Sequence, residues 1–252
     1  MNRLKYLALT LVLGLTIIVS SCDSNNEPID PVLNQTIGNN NGNNSNNPGV
    51  VTPSNDYWPT AINNKWVMKE NNNRTYTLKF TGTELFSGAN YYKFAPITNA
   101  VNGVSVGAAT WLNKFNGTYT LKTGDVSIDF NGITGNQTGF DMIILKENLP
   151  VGGTWAGTYQ QTTTYPGIPV ATTQTTEYNG TVIEKNTSVV VNNVTYNDVI
   201  KVHINQITSE AAIVTSEVDM IYWFAKNIGP VKIIQNSDFG DYETILIDYT
   251  LY

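Results

Sequence analysis

In Val189-Val190-Val191-Asn192-Asn193-Val194-Thr195-Tyr196, β-branched and aromatic residues flank an Asn-Asn pair. β-Branched residues favour strands, and asparagine tolerates the left-handed backbone that a two-residue hairpin turn requires. The segment therefore predicts two antiparallel strands joined by a tight turn at Asn192-Asn193.

Apolar and polar residues alternate with a period of two on both sides of this hairpin. The alternation is clearest in segments 75–81, 125–130, 200–205 and 245–251, which are separated by turns rich in Asn and Gly. A period of two is typical of a strand with one buried face. In segment 245–251 this alternation predicts that the odd-numbered residues, beginning with Ile245, form the buried face.

Helix signal is confined to Phe224-Ala225-Lys226-Asn227, where Gly229-Pro230 would end a short helix. Residues 57–252 are therefore predicted to form a mainly β domain. We expect a single antiparallel curved sheet or half-barrel of about ten strands, with little helix.

Residues 1–21 have the parts of an export signal. Arg3 and Lys5 precede an apolar run, and small residues lead to Cys22, the only cysteine of the chain. Val19-Ser20-Ser21-Cys22 resembles the lipobox of bacterial lipoproteins, in which the cysteine is lipidated. The resemblance implies a cell-envelope protein, anchored in the outer membrane through palmitate on Cys22 and facing the periplasm or the surface. The alternative is an uncleaved N-terminal anchor with an unmodified cysteine.

Residues 22–56 form a second zone, rich in Asn and Pro and poor in large apolar residues. Such a segment cannot bury enough surface to offset its chain entropy. We expect a disordered tether between the lipidated Cys22 and the domain.

Charge and cysteine content exclude several classes of function. The net charge is −6, so binding to nucleic acid through the overall field is excluded. With Cys22 used by the anchor, no thiol remains for a disulfide, a nucleophile or a metal. His203 is the only histidine and is expected on the polar face of a strand. We expect no catalytic residue, no metal site and no cofactor.

Tryptophans are the strongest binding candidates, and they lie in or beside predicted strands: Trp66, Trp111, Trp155 and Trp223. Most should be core residues. Any that face an open surface could stack on sugars or line an apolar cavity.

Two pairs of acids, Glu217 with Asp219 and Asp241 with Glu243, each lie two residues apart and so on one side of a strand. A pair at that spacing could hydrolyse a glycoside or bind calcium. A solvated strand face would carry the same pattern.

Four motifs look like the recurring sequence features of exported Bacteroidetes lipoproteins of unassigned function. They are Tyr57-Trp58-Pro59 with Asn63-Asn64-Lys65-Trp66, Leu149-Pro150-Val151-Gly152-Gly153-Thr154-Trp155, Tyr196-Asn197-Asp198-Val199-Ile200-Lys201-Val202 and Tyr222-Trp223-Phe224-Ala225-Lys226-Asn227-Ile228-Gly229-Pro230-Val231-Lys232. The resemblance implies a curled β-sheet domain and no catalytic residues.

The leading functional expectation is a non-enzymatic binding role, with an apolar or lipid-like ligand on the concave face. The alternative is a glycan- or protein-binding module that uses exposed Trp and Tyr, and a third hypothesis is a hydrolase built on a carboxylate pair. Partners would be the membrane, through Cys22, and such a ligand; the oligomeric state stays open.

Overall fold

The structure is a computed structural model that describes residues 56–101, 104–130, 133–237 and 240–252. Those residues form strands and turns, with no helix among them. The strands are β1 (Lys65–Glu70), β2 (Thr75–Phe86), β3 (Ala89–Phe94), β4 (Ile97–Val101), β5 (Val104–Ala108), β6 (Thr110–Phe115), β7 (Thr118–Thr123), β8 (Val126–Phe130), β9 (Ile133–Gln137), β10 (Asp141–Lys146), β11 (Thr154–Tyr165), β12 (Ile168–Val191), β13 (Val194–Glu210), β14 (Ile213–Ala225), β15 (Gly229–Ser237) and β16 (Gly240–Thr250).

All sixteen strands join one antiparallel sheet, in the order β10-β7-β6-β3-β2-β1-β16-β15-β14-β13-β12-β11-β9-β8-β5-β4. The prediction of a mainly β, curved antiparallel sheet is confirmed. The strand number is sixteen rather than about ten, because several strands, such as β5 and β9, have only five residues. Runs this short show too little alternation to be recognised.

The hairpin predicted at Asn192-Asn193 is present. Both residues have positive φ, 49° and 62°, and Val191 pairs with Val194 across the turn. Two positive φ values in a two-residue loop twist the chain in the sense that the flanking strands require.

Two local predictions are wrong. Residues 226–228 form a tight turn between β14 and β15, in which Asn227 has φ 60°, and no helix forms there. In β16 the buried side chains belong to Thr244 and Leu246, whereas Ile245 is only partly buried. Three consecutive apolar residues in this strand left the choice of face undetermined, and pairing with β1 and β15 decides it.

The inner face of the sheet is packed with large apolar side chains at one end, which we call the closed end. Trp66, Phe80, Leu112 and Leu145 have no exposed surface there. Trp58 covers them from the start of the folded region, with ring centroids 5.7 to 6.1 Å from those of Trp66, Phe94 and Phe224. Burial of so much aromatic surface is the main stabilising contribution in this half of the domain.

Asp56 fixes the entry of the chain at the closed end. Its carboxylate accepts hydrogen bonds from the Trp58 amide at 2.8 Å and the Tyr119 hydroxyl at 3.2 Å. The ammonium of Lys114 lies 2.6 Å from the same carboxylate, and Asn227 exchanges hydrogen bonds with the Asp56 backbone. Asp56, which the sequence assigns to the tether, is thus bonded into the domain.

Segment 133–146 connects two distant parts of the sheet. Its first part, β9, pairs with β11, and its second part, β10, pairs with β7 at the far edge of the sheet. Between β10 and β11 the backbone ladder is replaced by side chains from β11 and β12. The Ile143 amide donates to the Tyr178 hydroxyl at 3.2 Å, and the Ile143 carbonyl accepts from the Trp155 indole at 3.0 Å.

We call this junction the seam. Its two aromatic side chains lie over glycines on the neighbouring strand, Trp155 over Gly180 and Tyr178 over Gly157. A Cβ at either glycine would overlap the ring. Because glycine has no side chain, each ring can pack directly against the neighbouring strand, and from there its polar group reaches the β10 backbone.

Candidate functional site

The inner face changes from apolar to polar with distance from the closed end. Along β13 the inward residues run from Ile200, Val202 and Ile204 to Gln206 and Thr208. The neighbouring strands change in the same way. Buried polar residues there include Gln161, Gln174, Thr176, Thr208, Ser216 and Thr244. The polar half is the part of the inner face where hydrogen-bonding groups are concentrated.

Tyr159, Gln206 and Tyr222 lie where the apolar and polar parts of the inner face meet, with Tyr222 opposite Val202. The Tyr159 hydroxyl donates to the Gln206 side-chain carbonyl at 3.1 Å. The Gln206 amide nitrogen lies 3.2 Å from the sulfur of Met142 and 3.8 Å from that of Met220. Thioether sulfur is a weak acceptor. The amide is therefore poorly satisfied.

The Tyr222 hydroxyl also lacks a strong acceptor, because it donates to the sulfur of Met220 at 3.4 Å. Burial raises the pKa of Tyr222 to about 12, and the nearby Tyr159 adds to the effect. Burial also raises the pKa of Tyr159 to about 12, partly offset by a hydrogen bond with Thr176. Both side chains nevertheless keep part of their surface accessible. The two phenols are thus neutral, desolvated donors that a small molecule could still reach.

Glu70 and Gln174 carry unpaired acceptors elsewhere on the inner face. Among the residues that the structure describes, Glu70 Oε1 and Gln174 Oε1 are buried without a hydrogen-bond partner. The two side chains are 2% and 5% exposed. The other Glu70 oxygen accepts from Asn72 at 2.9 Å. A buried acceptor without a partner costs about 1–3 kcal/mol.

Tyr76 lies on the Glu70 side of this face. Burial raises the pKa of Tyr76 well above its ordinary value, and the negative charge of Glu70 raises it further. Tyr159 and Gln206 are joined by a hydrogen bond, and Gln206 and Tyr222 both approach the sulfur of Met220. We call Tyr159, Gln206 and Tyr222 the inner polar site.

The four tryptophan candidates are dispersed, and none belongs to the inner polar site. Trp66 is fully buried at the closed end, where its indole donates to the Ile228 carbonyl at 2.6 Å. Trp155 is buried at the seam. Trp111 is buried under Phe86, at a centroid distance of 5.1 Å, in the β3–β6–β7 part of the sheet. A ligand-binding role for these residues stays a prediction.

Trp223 is the partly exposed member of the four, and it lies on the outer face. Lys201 and Lys232 place their ammonium groups 5.2 and 5.4 Å from its ring centroid. Each lysine also pairs with an acid, Glu184 or Glu243, at 3.1 and 2.5 Å. The ring is thus covered by cations that other strands hold in place.

Both acid pairs named in the sequence analysis lie on the outer face, in β14 and β16. Asp219 contacts His203 at 2.6 Å, and Asn205 donates to Glu217 at 2.9 Å and to Asp219 at 3.3 Å. Glu243 pairs with Lys232. Within the described parts of the chain, no cluster of His, Cys, Asp and Glu is suited to a metal ion.

The signal peptide, Cys22 and the tether up to residue 55 lie outside the described residues. Lipidation of Cys22 therefore stays a prediction. In the part of the chain that the structure describes, no helix has the length and apolar character needed to cross a membrane.

Comparison with known proteins returns structural similarity only. No family model and no curated protein matches the chain. One solved structure, a "putative lipoprotein" from Parabacteroides distasonis, is 12% identical with a TM-score of 0.49, covering 77% of this chain and 98% of its own. Another, a "putative exported protein with YmcC-like fold" from Bacteroides fragilis, is 10% identical with a TM-score of 0.42, covering 77% and 98%.

The chain is thus similar to exported Bacteroidetes proteins, the class that its motifs resemble. At this level of similarity neither structure indicates a ligand or an activity for this chain.

Sequence reasoning missed the inner polar site, although a signal exists. The alternation of β13 continues through Gln206 and Thr208 with polar residues at the inward positions, and Gln161 and Gln174 occupy matching positions on β11 and β12. Polar residues on both faces of adjacent strands are the pattern to search for.

Proposed function

We propose that this protein is a lipid-anchored protein of the cell envelope that binds a small polar ligand at the inner polar site without chemical conversion. One observation carries the proposal. Two donors, on Gln206 and Tyr222, approach the same Met220 sulfur and have only sulfur as acceptor. A bound molecule with an oxygen acceptor would satisfy both.

The closed end supports a polar ligand over an apolar or lipid-like one. Trp66, Phe80 and Leu145 contact one another or their neighbours without exposed surface, so an acyl chain could enter only by displacing them. Such displacement would cost several kcal/mol of packing. The lipid-like ligand favoured from the sequence becomes the second candidate.

A binding role is favoured over catalysis by the composition of the site. Tyr159, Gln206 and Tyr222 include no carboxylate, and His203 lies on the outer face beside Asp219. The phenols of Tyr159 and Tyr222 have raised pKa values, which makes them poor bases at neutral pH.

The test is co-purification. The full chain would be isolated from membranes and its small-molecule extract analysed by mass spectrometry. We expect Gln206→Met to lose the bound compound, because methionine keeps the volume and removes the amide. Asn205→Leu, the adjacent residue on the outer face, is the matched control and should retain it. Equal ligand content in both variants, or a wild-type chain that carries nothing and binds nothing, would contradict the proposal.

A further inference from the structure

We infer that the closed end of the domain docks on the bilayer to which the chain is anchored. The contact is made by exposed apolar side chains on three turns around Asp56, where the tether joins the domain. This inference rests on the anchoring part of the proposed function, and it adds an interaction surface and an orientation. It is independent of the inner polar site.

The first two turns are bonded to each other beside Asp56. Lys114, which pairs with Asp56, directly precedes the β6–β7 turn. The Gly117 carbonyl of this turn accepts a hydrogen bond at 2.8 Å from the Glu147 amide, at the start of the β10–β11 turn. The Tyr119 hydroxyl, which contacts Asp56, also lies 2.7 Å from the Glu147 carboxylate. Both turns therefore lie next to the point at which the described part of the chain begins.

The third turn is the tip of the β12–β13 hairpin, and the base of that hairpin is held at the chain entry. The Lys226 amide donates to the Asp198 carbonyl at 3.3 Å, and the following residue, Asn227, donates to the Asp56 carbonyl. From Asp198 the hairpin runs past the end of β14, because β12 and β13 stay paired up to the Asn192-Asn193 turn. The tip therefore projects beyond the closed end.

Each of the three turns exposes an apolar side chain. Phe115 at the first turn is 69% exposed, Val151 at the second 59% and Val190 at the third 67%, and Val194 in the same hairpin is also exposed. We call Phe115, Val151, Val190 and Val194 the apolar rim. A single exposed apolar residue is common on protein surfaces. Here the exposed residues share the end of the domain at which the tether is attached, and a bilayer interface is wide enough to bury all of them together.

Charge separates this end of the sheet from the opposite end. The β13–β14 turn at the opposite end also exposes Ile213 and Val214. The described residues within 206–219 and 235–243, however, include no lysine or arginine and five acids, which are Glu210, Glu217, Asp219, Asp241 and Glu243. Acids brought against acidic lipid head groups are repelled and desolvated. The opposite end is therefore the less suitable one for contact with a bilayer.

Lysines accompany the acids near the apolar rim. Lys114 lies 2.6 Å from the Asp56 carboxylate. The ammonium of Lys185 donates to the carbonyls of Glu147 and Leu149 in the β10–β11 turn, at 2.7 and 3.0 Å. These cations offset the negative charge beside them, so the closed end can approach acidic head groups.

The length of the tether allows the contact. Residues 23–55 separate Cys22 from Asp56. The disordered tether expected from the sequence would span about 30–35 Å on average at this length. An anchored domain is therefore held at a high local concentration beside the bilayer, where contacts too weak to recruit a free protein are still occupied.

The experiment labels single cysteines in the full chain, purified from membranes and reconstituted into vesicles of phosphatidylethanolamine and phosphatidylglycerol. Phe115→Cys, Val151→Cys and Val190→Cys place an environment-sensitive fluorophore on the apolar rim. Val170→Cys and Ile213→Cys place it at equally exposed positions at the opposite end and are the matched controls.

We expect phospholipids that carry a nitroxide on the acyl chain to quench the three rim labels. A label that reaches about 5–10 Å into the interface should lose at least about half of its emission and shift to shorter wavelength. The control labels should keep their emission. The wild-type chain, whose only cysteine is the predicted lipid site Cys22, should take no label.

A double variant tests whether the turns act together. Val190→Ser with Val194→Ser changes exposed side chains only, so the fold should be retained. Quenching of the label in Val151→Cys should then fall at least about twofold, because less apolar surface is buried in the bilayer. Ile213→Ser with Val214→Ser is the matched control and should leave this quenching unchanged.

The outcomes separate the docking surface from the anchor. Equal quenching at both ends, or no quenching at the rim, would overturn the docking surface and leave the anchor intact. Rim labels that shift to shorter wavelength without quenching would also overturn it, since a protein surface rather than lipid would then cover the rim. Labelling of the wild-type chain at Cys22 would overturn the anchor, and the docking surface with it.

Discussion

The indole of Trp155 lies directly over Gly180 on the neighbouring strand, in the space that a side chain at that position would fill. From there its N–H reaches the Ile143 carbonyl across the seam. The residue that looked like a ligand contact in the sequence thus joins two parts of the sheet that share no backbone ladder at this point.

Gly180→Ala should destabilise the domain. The new methyl group would push the Trp155 ring away from its place and weaken its hydrogen bond to Ile143. We expect a loss of about 1–3 kcal/mol in the free energy of unfolding, as for other overpacked sites. Gly82→Ala is the matched control, because nothing lies within 4 Å of a Cβ there. Urea titration of both variants measures the difference, and equal midpoints would contradict the described seam.

Tyr178→Phe should loosen the seam without disturbing its packing. The ring over Gly157 is retained, whereas the Ile143 amide loses its acceptor. We expect the Ile143 amide to exchange with solvent deuterium at least several-fold faster, because exchange depends on local opening. Tyr252→Phe alters an exposed residue far from the seam and should leave this amide unchanged. Unaltered exchange in Tyr178→Phe would show that other contacts protect the strand.

Asp56→Ala should weaken the closed end strongly. The substitution removes the acceptor for the Trp58 amide and leaves Lys114 without its carboxylate. Because the pair is mostly buried, we expect a loss of about 2–4 kcal/mol in thermal or chemical unfolding. Asp141→Ala breaks the more exposed pair with Lys122 at 3.0 Å and should cost less than about 1 kcal/mol. Similar losses in both variants would contradict the special role of Asp56.

Alkaline pH should destabilise the fold through the buried phenols. Tyr159 and Tyr222 have pKa values of about 12 in the folded state, above the ordinary value of 10. The unfolded chain therefore loses these protons first as the pH rises. Their contribution is complete below pH 10 and is lost progressively between pH 10 and 12.

Unfolding free energies measured across this range should fall with pH, and less steeply in a Tyr159→Phe, Tyr222→Phe double variant. The difference in phenolate absorbance near pH 12 between the folded wild-type protein and the folded double variant provides a separate measurement of Tyr159 and Tyr222. An unchanged slope in the double variant would contradict the assignment.

Cys22→Ala should abolish lipidation. The cysteine is the only one in the chain, and the lipobox has no other residue that can accept the acyl group. Cells that express the variant and are fed labelled palmitate should yield unlabelled protein, whereas the wild-type chain should carry label. Incorporation of label into Cys22→Ala would show that the resemblance to a lipobox is misleading.

Local features of the fold were predictable where one sequence signal dominated. The turn at Asn192-Asn193 follows from two residues that tolerate positive φ. The buried face of β2 follows from alternation of large and polar residues, and Phe80 is indeed fully buried. In each case the signal and the structure involve the same few residues.

Features that depend on distant residues were not predictable. Tyr159 and Tyr222 belong to strands three places apart in the sheet, and they are linked only through Gln206 and Met220. The seam depends on Gly157 and Gly180, which alternation alone would describe as weak points in a strand. The inner polar site and the seam therefore required the tertiary structure.

The position of β1 beside β16 has a consequence for how the protein is made. Lys65 pairs with Thr250, and the strands at the centre of the sheet are contributed by the first and last parts of the folded region. Early strands must wait, with an open edge, until β16 has been delivered. Contacts of such large sequence separation make folding slow. The domain is therefore complete only when the last strand of the chain has taken its place between β1 and β15.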